Sequence, residues 1–340
     1  MPIRDQIIQL IRGRDLSEDQ AAEAMEEIMT GVATPAQVAA LLTALHLKGE
    51  TDAEIAGMAR VMREKAIPVH FDGPLLDTCG TGGDGAGTFN ISTTAALVAA
   101  GAGATVAKHG NRAMSSMCGS ADVLEGLGVN IELDADGVVR CLHEAGVGFM
   151  FAQKFHPAMR FVGPVRREIG IRTVFNVLGP LSNPAHATYQ VLGVADPTLA
   201  EKLARALMLL GTRHALVVHG HGGLDELTLS GPNMVIEVRA GQPPRRYEID
   251  AVDLGLAAAP VEALGGGDVA ANVAIVRGIL EGRDAGPRRD VIVLNAAAAL
   301  VAADRAADLR DGLQQARASL EQGAARVRLE RLIAASAAAT

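Results

Sequence analysis

Cysteine is scarce in this chain. Cys79, Cys118 and Cys141 are odd in number and widely spaced, which excludes a disulfide framework and a CxxC zinc site and makes a reduced, cytoplasmic setting the expectation. Tryptophan is absent and aromatics reach only 3%, yet 49% of the 340 residues are hydrophobic, enough to bury a core without a structural metal. Disorder is excluded on the same ground, and the length allows two domains. Positive charge is in deficit: 31 lysines and arginines face 39 aspartates and glutamates, a net charge of −8. Non-specific nucleic-acid binding needs a clustered excess of cations, so no nucleic-acid partner is expected. An anionic ligand must instead meet local positive charge, backbone N–H groups or a metal. Long apolar runs are missing too. The alanine-rich stretches are too short or too interrupted by charge to span a bilayer, and the first twenty residues carry charges where a signal peptide needs its apolar core. A soluble protein inside the cell, with no membrane partner, is expected.

What is present falls into two patterns. Ser17 with Gln20, Thr34 with Pro35 and Gln37, and Thr51 with Glu54 each place a capping residue three positions before Glu or Gln. Ala39, Leu42 and Leu45, then Ile55, Met58, Ala59 and Met62, recur at helical spacing and mark buried faces. Residues 1–70 therefore read as a helical domain, closed at the Ile67-Pro68 break. Over 71–340, short β-prone runs alternate with helices. Strands are expected over 75–77, 104–108, 147–151, 189–194, 214–219 and 235–239. Helices are expected over 92–100, 121–127, 136–145, 197–210, 268–281 and 289–303, with further helical packing beyond 304. Such alternation requires crossover connections. The predicted fold class is α/β: a small all-helical domain plus a larger α/β domain with a central, mostly parallel sheet flanked by helices. In such sheets ligands sit beyond the carboxyl ends of the strands.

Two unusual segments follow expected strands. The first, residues 78–94, reads TCGTGGDGAGTFNISTT. Glycines let a backbone approach a bulky anion, and Asn, Ser and Thr at a helix start aim further donors at the same point. Gly80, Gly82 and Gly85 also satisfy G-x-G-x-x-G, but the helix opens later and no acid falls between Asp84 and Asp122, so a dinucleotide site is not indicated. No Gly-Lys-Ser/Thr ending marks an ATP-type loop either. A phosphate cradle remains, against the alternative of a glycine turn that holds no ligand. The second segment, residues 108–120, is KHGNRAMSSMCGS. Two cations, an imidazole, an amide and three serines suit a second anion contact. The alternative is a solvated basic loop whose Ser120 caps the following helix.

These runs, with GSADVLEGLGV over 119–129 and FAQKFHPAMRFVGPVRREIGIRTVFNVLGPLSNPA over 151–185, closely resemble the anthranilate phosphoribosyltransferase family along nearly the whole chain. The resemblance implies transfer of a phosphoribosyl group from phosphoribosyl pyrophosphate to the amino group of anthranilate, in tryptophan biosynthesis, with Mg2+ as cofactor. It implies a helical domain joined to the α/β domain by a segment near 165–187, a site in the cleft between them, and a homodimer formed through the helical domain. It places Gly80, Gly83, Asp84, Thr88, Asn90, Ser92, Thr93, Lys108, Ser116 and Ser120 at the sugar donor. It places Gly80, His109, Asn111, His156, Arg166 and Gly179 toward anthranilate, with Pro180 in the same wall. Ser92, Asp225 and Glu226 become the magnesium ligands, and Lys108 joins that acid pair as the catalytic set.

The residues constrain the chemistry independently. Magnesium takes oxygen ligands from one or two carboxylates and completes its shell from phosphate and water. Adjacent acids on a strand point to opposite faces, so Asp225 and Glu226 reach one ion only from an irregular turn, which Gly220-His221-Gly222-Gly223 supplies. Two solvated surface acids are the alternative. Arg166 suits a planar carboxylate held in a fork, or a plain surface ion pair; its neighbour Arg167 cannot face the same way. Two rival functions fit the residues less well. A pyrimidine nucleoside phosphorylase would need its own lysine-serine phosphate pattern near the turn, whereas this chain has Thr78-Cys79 before it. A non-catalytic nucleic-acid-binding relative conflicts with the net charge of −8 and the intact acid pair.

Overall fold

The computed structural model describes residues 3–113 and 117–338. Four helices open the chain: α1 (Ile3–Ile11), α2 (Glu18–Met29), α3 (Pro35–Lys48) and α4 (Asp52–Lys65). All three expected capping boxes form. Ser17, Thr34 and Thr51 accept from the backbone N–H groups of Gln20, Gln37 and Glu54, whose side chains return to the capping residues' own N–H groups. Glu54 is fully buried because its carboxylate also receives Leu16 N–H at 2.8 Å and the Lys48 ammonium at 3.0 Å.

Seven strands then build one sheet: β1 (Leu76–Gly80), β2 (Val106–Gly110), β3 (Val147–Phe151), β4 (Tyr189–Gly193), β5 (His214–His219), β6 (Asn233–Arg239) and β7 (Arg245–Ile249). Their spatial order is β3-β2-β1-β4-β5-β6-β7; the first five are parallel and the last two antiparallel. The remaining helices are α5 (Ile91–Gly101), α6 (Ser120–Leu127), α7 (Ala135–Ala145), α8 (Ala152–Phe155), α9 (Gly163–Ile169), α10 (Phe175–Leu178), α11 (Pro197–Leu209), α12 (Val269–Leu280), α13 (Pro287–Ala302), α14 (Leu309–Glu321) and α15 (Ala324–Ala337). An all-helical part and an α/β part with a mostly parallel sheet are both present, as expected.

Alternating side chains send the sheet into two cores. Val191, Leu216, Val218 and Val235 face a core shared with α5 and α13, while Leu192, Val217, Ile236 and Val238 face the opposite one. That second core runs without interruption through α11 and the 162–181 segment into α1–α4. Arg63 of α4 ties the layers, donating to the Leu181 carbonyl at 2.6 Å and the Leu210 carbonyl at 3.3 Å.

Three details differ from the sequence reading. β2 begins and ends two residues later than expected, so Lys108, expected as its last residue, and His109, expected in the loop after it, both lie inside a buried strand, paired with Phe149 and Met150. β7 is absent from the expected strands because its sequence, RRYEI, carries the charges of an exposed edge rather than an apolar run. Ser120 is the first residue of α6 and not its cap. Gly119 precedes the helix, its N–H satisfied by the Asp122 carboxylate at 2.9 Å, while Ser120 Oγ donates to the Asn111 carbonyl at 3.3 Å.

Candidate active site

The glycine turn leaves β1 at the carboxyl end of the sheet and enters α5 at Asn90, which leads that helix without a side-chain cap. Gly82, Gly83, Gly85 and Gly87 all have positive φ, 65°, 82°, 69° and 62°, conformations that other residues adopt only with strain. Among the described residues the N–H groups of Gly83, Asp84, Gly85 and Gly87 have no protein acceptor. Successive unpaired N–H groups in a turn of this kind are the donors an anion needs.

Asp225 and Glu226 lie in the loop after β5, just past an isolated bridge between Gly220 and Leu224. They are not solvated surface acids. Asp225 Oδ2 accepts Gly82 N–H at 2.7 Å, and Glu226 Oε1 accepts Ser92 N–H at 3.0 Å in the first turn of α5. The acid pair thus clamps both ends of the glycine turn. Room for it comes from two strand-end glycines in register, Gly80 of β1 and Gly193 of β4. A methyl group at Gly80 would lie 2.2 Å from Asp225 Oδ2, and one at Gly193 would lie 1.6 Å from the Asp225 carbonyl oxygen. Gly193 was not singled out in the sequence; a glycine ending a β-prone run was its only signal.

The electrostatics of the pair follow from this placement. Burial raises the Asp225 carboxyl, and the nearby Asp84 charge raises it further. Burial and the Asp225 charge raise Glu226, with Lys108 and the Ser92 N–H acting the other way. A divalent cation held between the two carboxylates would offset both the burial and the repulsion. Among the described residues no three His, Cys, Asp or Glu side chains converge as a self-contained metal cage. The donor set is two carboxylates with the Ser92 hydroxyl, which fits an ion that takes its remaining ligands from phosphate and water.

Lys108 reaches across from β2. Its Nζ donates to the Thr78 carbonyl and lies 3.4 Å from Ser92 Oγ. Below it, Asp77 of β1 is fully buried, accepting Asn183 Nδ2 at 2.8 Å and His109 N–H at 3.3 Å; burial raises its carboxyl while the Lys108 charge lowers it. Asn183 also donates to the Ala107 carbonyl at 2.8 Å, which ties the 162–185 segment to both strands. Sequence reasoning passed over Asp77 and Asn183, although Asn183 falls inside the 151–185 run and Asp77 immediately precedes the glycine-rich one.

On the other side His109 and His156 meet, their Nε2 atoms 3.2 Å apart. His156 separates α8 from the 3-10 turn that begins at Pro157, and it is buried. Burial pushes His109 down to about 3, helped by His156, and pushes His156 down to about 4. The Gly179 backbone hydrogen-bonds the His109 ring and the Ser182 backbone the His156 ring. Asn111 follows β2, its Oδ1 accepting Arg112 N–H at 2.8 Å and facing Gln153 Nε2 at 3.5 Å. Arg166 is half-buried with its guanidinium 5.4 Å from the Phe175 ring centre, whereas Arg167 is exposed. Among the described residues no carboxylate pairs with Arg166, so the plain ion-pair alternative fails. Burial lowers its guanidinium.

The remaining expected residues divide. Asn90 joins the two segments, its Nδ2 donating to the Cys118 carbonyl at 3.1 Å while its buried Oδ1 lacks a partner. Thr88 is bridged to Gly265, and Thr93 is buried in α5. Gly179 begins a short 3-10 turn with Pro180. Ser116 lies outside the described residues.

Comparison with known proteins gives one consistent result. Residues 72–326 match the glycosyl transferase family a/b domain, and residues 4–66 match the helical bundle domain of the same family. The chain is similar to an anthranilate phosphoribosyltransferase of Roseiflexus sp. (strain RS-1), with 85% identity over 99% of this chain and 98% of the relative. It is similar in structure to the anthranilate phosphoribosyltransferase of Thermus thermophilus, at TM-score 0.93 and 49% identity, covering 98% of this chain and 99% of that one. The Saccharomyces cerevisiae enzyme in complex with PRPP and Mg superposes at TM-score 0.90 and 28% identity, covering 99% and 98%.

Proposed function

The chain belongs to the anthranilate phosphoribosyltransferase family, and we propose that the strand-end cleft holding Asp225, Glu226, Lys108 and the glycine turn is its catalytic site. The enzyme transfers the phosphoribosyl group of 5-phosphoribosyl 1-pyrophosphate to the amino nitrogen of anthranilate, giving N-(5-phosphoribosyl)anthranilate and pyrophosphate in tryptophan biosynthesis. Magnesium serves this reaction, supplying positive charge for the departing pyrophosphate oxygens when bound.

The observation that carries the site assignment is the double clamp of Asp225 on Gly82 N–H and Glu226 on Ser92 N–H, which sets two carboxylates against the one segment built to hold phosphate. In this reading Asp225, Glu226 and Ser92 hold the metal. Gly80, Gly83, Asp84, Thr88, Asn90, Ser92, Thr93, Ser116 and Ser120 hold the donor. The unused N–H groups of the turn and the Lys108 ammonium stabilise charge on the leaving group from fixed positions, without reorganising as it forms.

The acceptor comes from the opposite wall. Arg166, a guanidinium without a carboxylate of its own, takes the anthranilate carboxylate in fork geometry. Asn111 and the neutral His109–His156 pair line the ring side with Gly179. An aromatic amine attacks as the neutral species, so placing its nitrogen opposite the leaving group provides most of the acceleration the acceptor side needs.

The domain division at residue 70, with the joining segment near 165–187, is supported by Val165, Val174 and Phe175, which pack into the same core as α1–α4. A homodimer through the helical part is proposed from the family resemblance; Ile11 of α1 and Leu47 of α3 are exposed apolar side chains available to it. A cytoplasmic setting is supported by three unpaired cysteines. Among the described residues no helix is long and apolar enough to cross a membrane. The test is loss of anthranilate fluorescence on mixing purified protein with donor and magnesium. The expected result is turnover that a metal-free control lacks. Phosphate-dependent cleavage of thymidine or uridine is expected to be absent.

A further inference from the structure

Arg172 sits between α9 and α10, in a stretch whose flanking residues Val165, Val174 and Phe175 belong to the core shared with the four N-terminal helices. Its side chain leaves that side of the molecule and ends on the glycine turn of the other. A methyl group at Gly83 would lie 1.8 Å from Arg172 Nη1, 2.9 Å from Cζ and 3.3 Å from Nη2, so the guanidinium rests on the Gly83 backbone. Arg172 is exposed, and among the described residues neither a carboxylate nor a hydrogen-bond acceptor engages it.

The surroundings give that cation a purpose. The Gly83 N–H beside it, and those of Asp84, Gly85 and Gly87 along the same turn, are also without protein acceptors. An unused backbone donor and an unused planar cation therefore meet at Gly83 from two separate parts of the fold. A guanidinium presents five N–H donors in a fixed fork that matches phosphate oxygens and pairs with them in bidentate fashion. Gly83 is also the position where a side chain would displace this group, besides being one whose φ of 82° disfavours any side chain.

We infer that Arg172 is a further donor-binding residue, closing the outer side of the pyrophosphate pocket over Gly83 and gripping the pyrophosphate moiety of the sugar donor. The inference rests on the site assignment proposed above. Asp225, Glu226 and Lys108 lie at the inner end of the turn, on the sheet; Arg172 is the cation supplied from outside it.

The test compares wild type with Arg172→Gln and Arg172→Lys by two measurements. Isothermal titration with inorganic pyrophosphate in magnesium reads binding without chemistry, and steady-state kinetics reads each substrate separately. The expected result for Arg172→Gln is a roughly 10- to 100-fold loss both in pyrophosphate affinity and in kcat/KM for the donor, the range of a charge-assisted hydrogen bond to phosphate. The anthranilate KM is expected to stay within about two-fold, and Arg172→Lys to recover part of the loss because it restores charge without the fork. Because Arg172 is exposed, both variants are expected to keep the wild-type circular dichroism and melting midpoint. Unchanged pyrophosphate affinity and donor KM would overturn the inference while leaving the site assignment standing, as would a loss confined to the anthranilate KM. Failure of the wild-type protein itself to bind pyrophosphate in magnesium would overturn the site assignment instead.

Discussion

Acidification is expected to weaken this protein through one buried pair. His109 on β2 and His156 after α8 are 8% and 6% accessible, with their Nε2 atoms 3.2 Å apart, and burial holds them at about 3 and about 4. In an unfolded chain each titrates near about 6.5. A folded value below the unfolded one means that the unfolded chain takes up the proton first as pH falls. The pair therefore costs nothing above about pH 6.5, and stability drains away between there and about pH 4. Between about pH 7.5 and about pH 5, each imidazole accounts for RT ln(1 + 10^1.5), about 2 kcal/mol, and the two together for about 4 kcal/mol. The assay is urea unfolding of wild type and of the double variant His109→Gln, His156→Gln at a series of pH values. Subtracting the two curves removes the common titration of the carboxylates and leaves the pair. The expected outcome is a variant whose loss of stability over that range is smaller by about 4 kcal/mol. Parallel curves, equally steep in both proteins, would refute the reasoning and show that the imidazoles accept protons as readily folded as unfolded.

Replacing Asp225→Asn together with Glu226→Gln is expected to abolish turnover in magnesium yet raise stability by about 1–3 kcal/mol near neutral pH, because folded carboxyls that titrate above their unfolded values oppose folding once ionised; near-normal rates in magnesium would remove the pair from the catalytic set. Arg166→Ala is expected to weaken anthranilate by about 2–5 kcal/mol and the donor far less, read from the two KM values; equal losses would move Arg166 out of the acceptor wall. Gly193→Ala is expected to lower stability by about 1–3 kcal/mol and to eliminate turnover, since the added methyl lands 1.6 Å from the Asp225 carbonyl oxygen; a fully active Gly193→Ala enzyme would mean that the acid loop shifts without consequence.

The parts of the fold that were legible in the sequence are those governed by local rules. Capping boxes at Ser17, Thr34 and Thr51 are self-contained chemistry over four residues, and all three form. The parallel strands announced themselves as apolar runs because both their faces are covered. β7 did not, since a strand with one partner and charged side chains carries no such run. The same division holds in the site. The glycine turn could be read as a phosphate cradle from composition alone, but the partners of the acid pair could not. The contact of Asp225 with Gly82 spans 143 positions and that of Glu226 with Ser92 spans 134, so only the register of β1 against β4 brings them together. Lys108 reads as the end of its strand and His109 as the loop beyond it because charge is rare in a central strand. They are tolerated there because the Thr78 carbonyl accepts from one and the other is kept neutral. Arg172 gave no signal at all, its position beside the turn being purely a matter of tertiary geometry.

The second hydrophobic core has no owner of its own. It passes from α1–α4 through α9, α10 and α11 to one side of the sheet, so neither half of the chain seals itself. Trimming away the first seventy residues to obtain a smaller catalyst would strand the outer sides of α10 and α11 in water, and the excised helices would fare no better alone. Folding must finish both portions together.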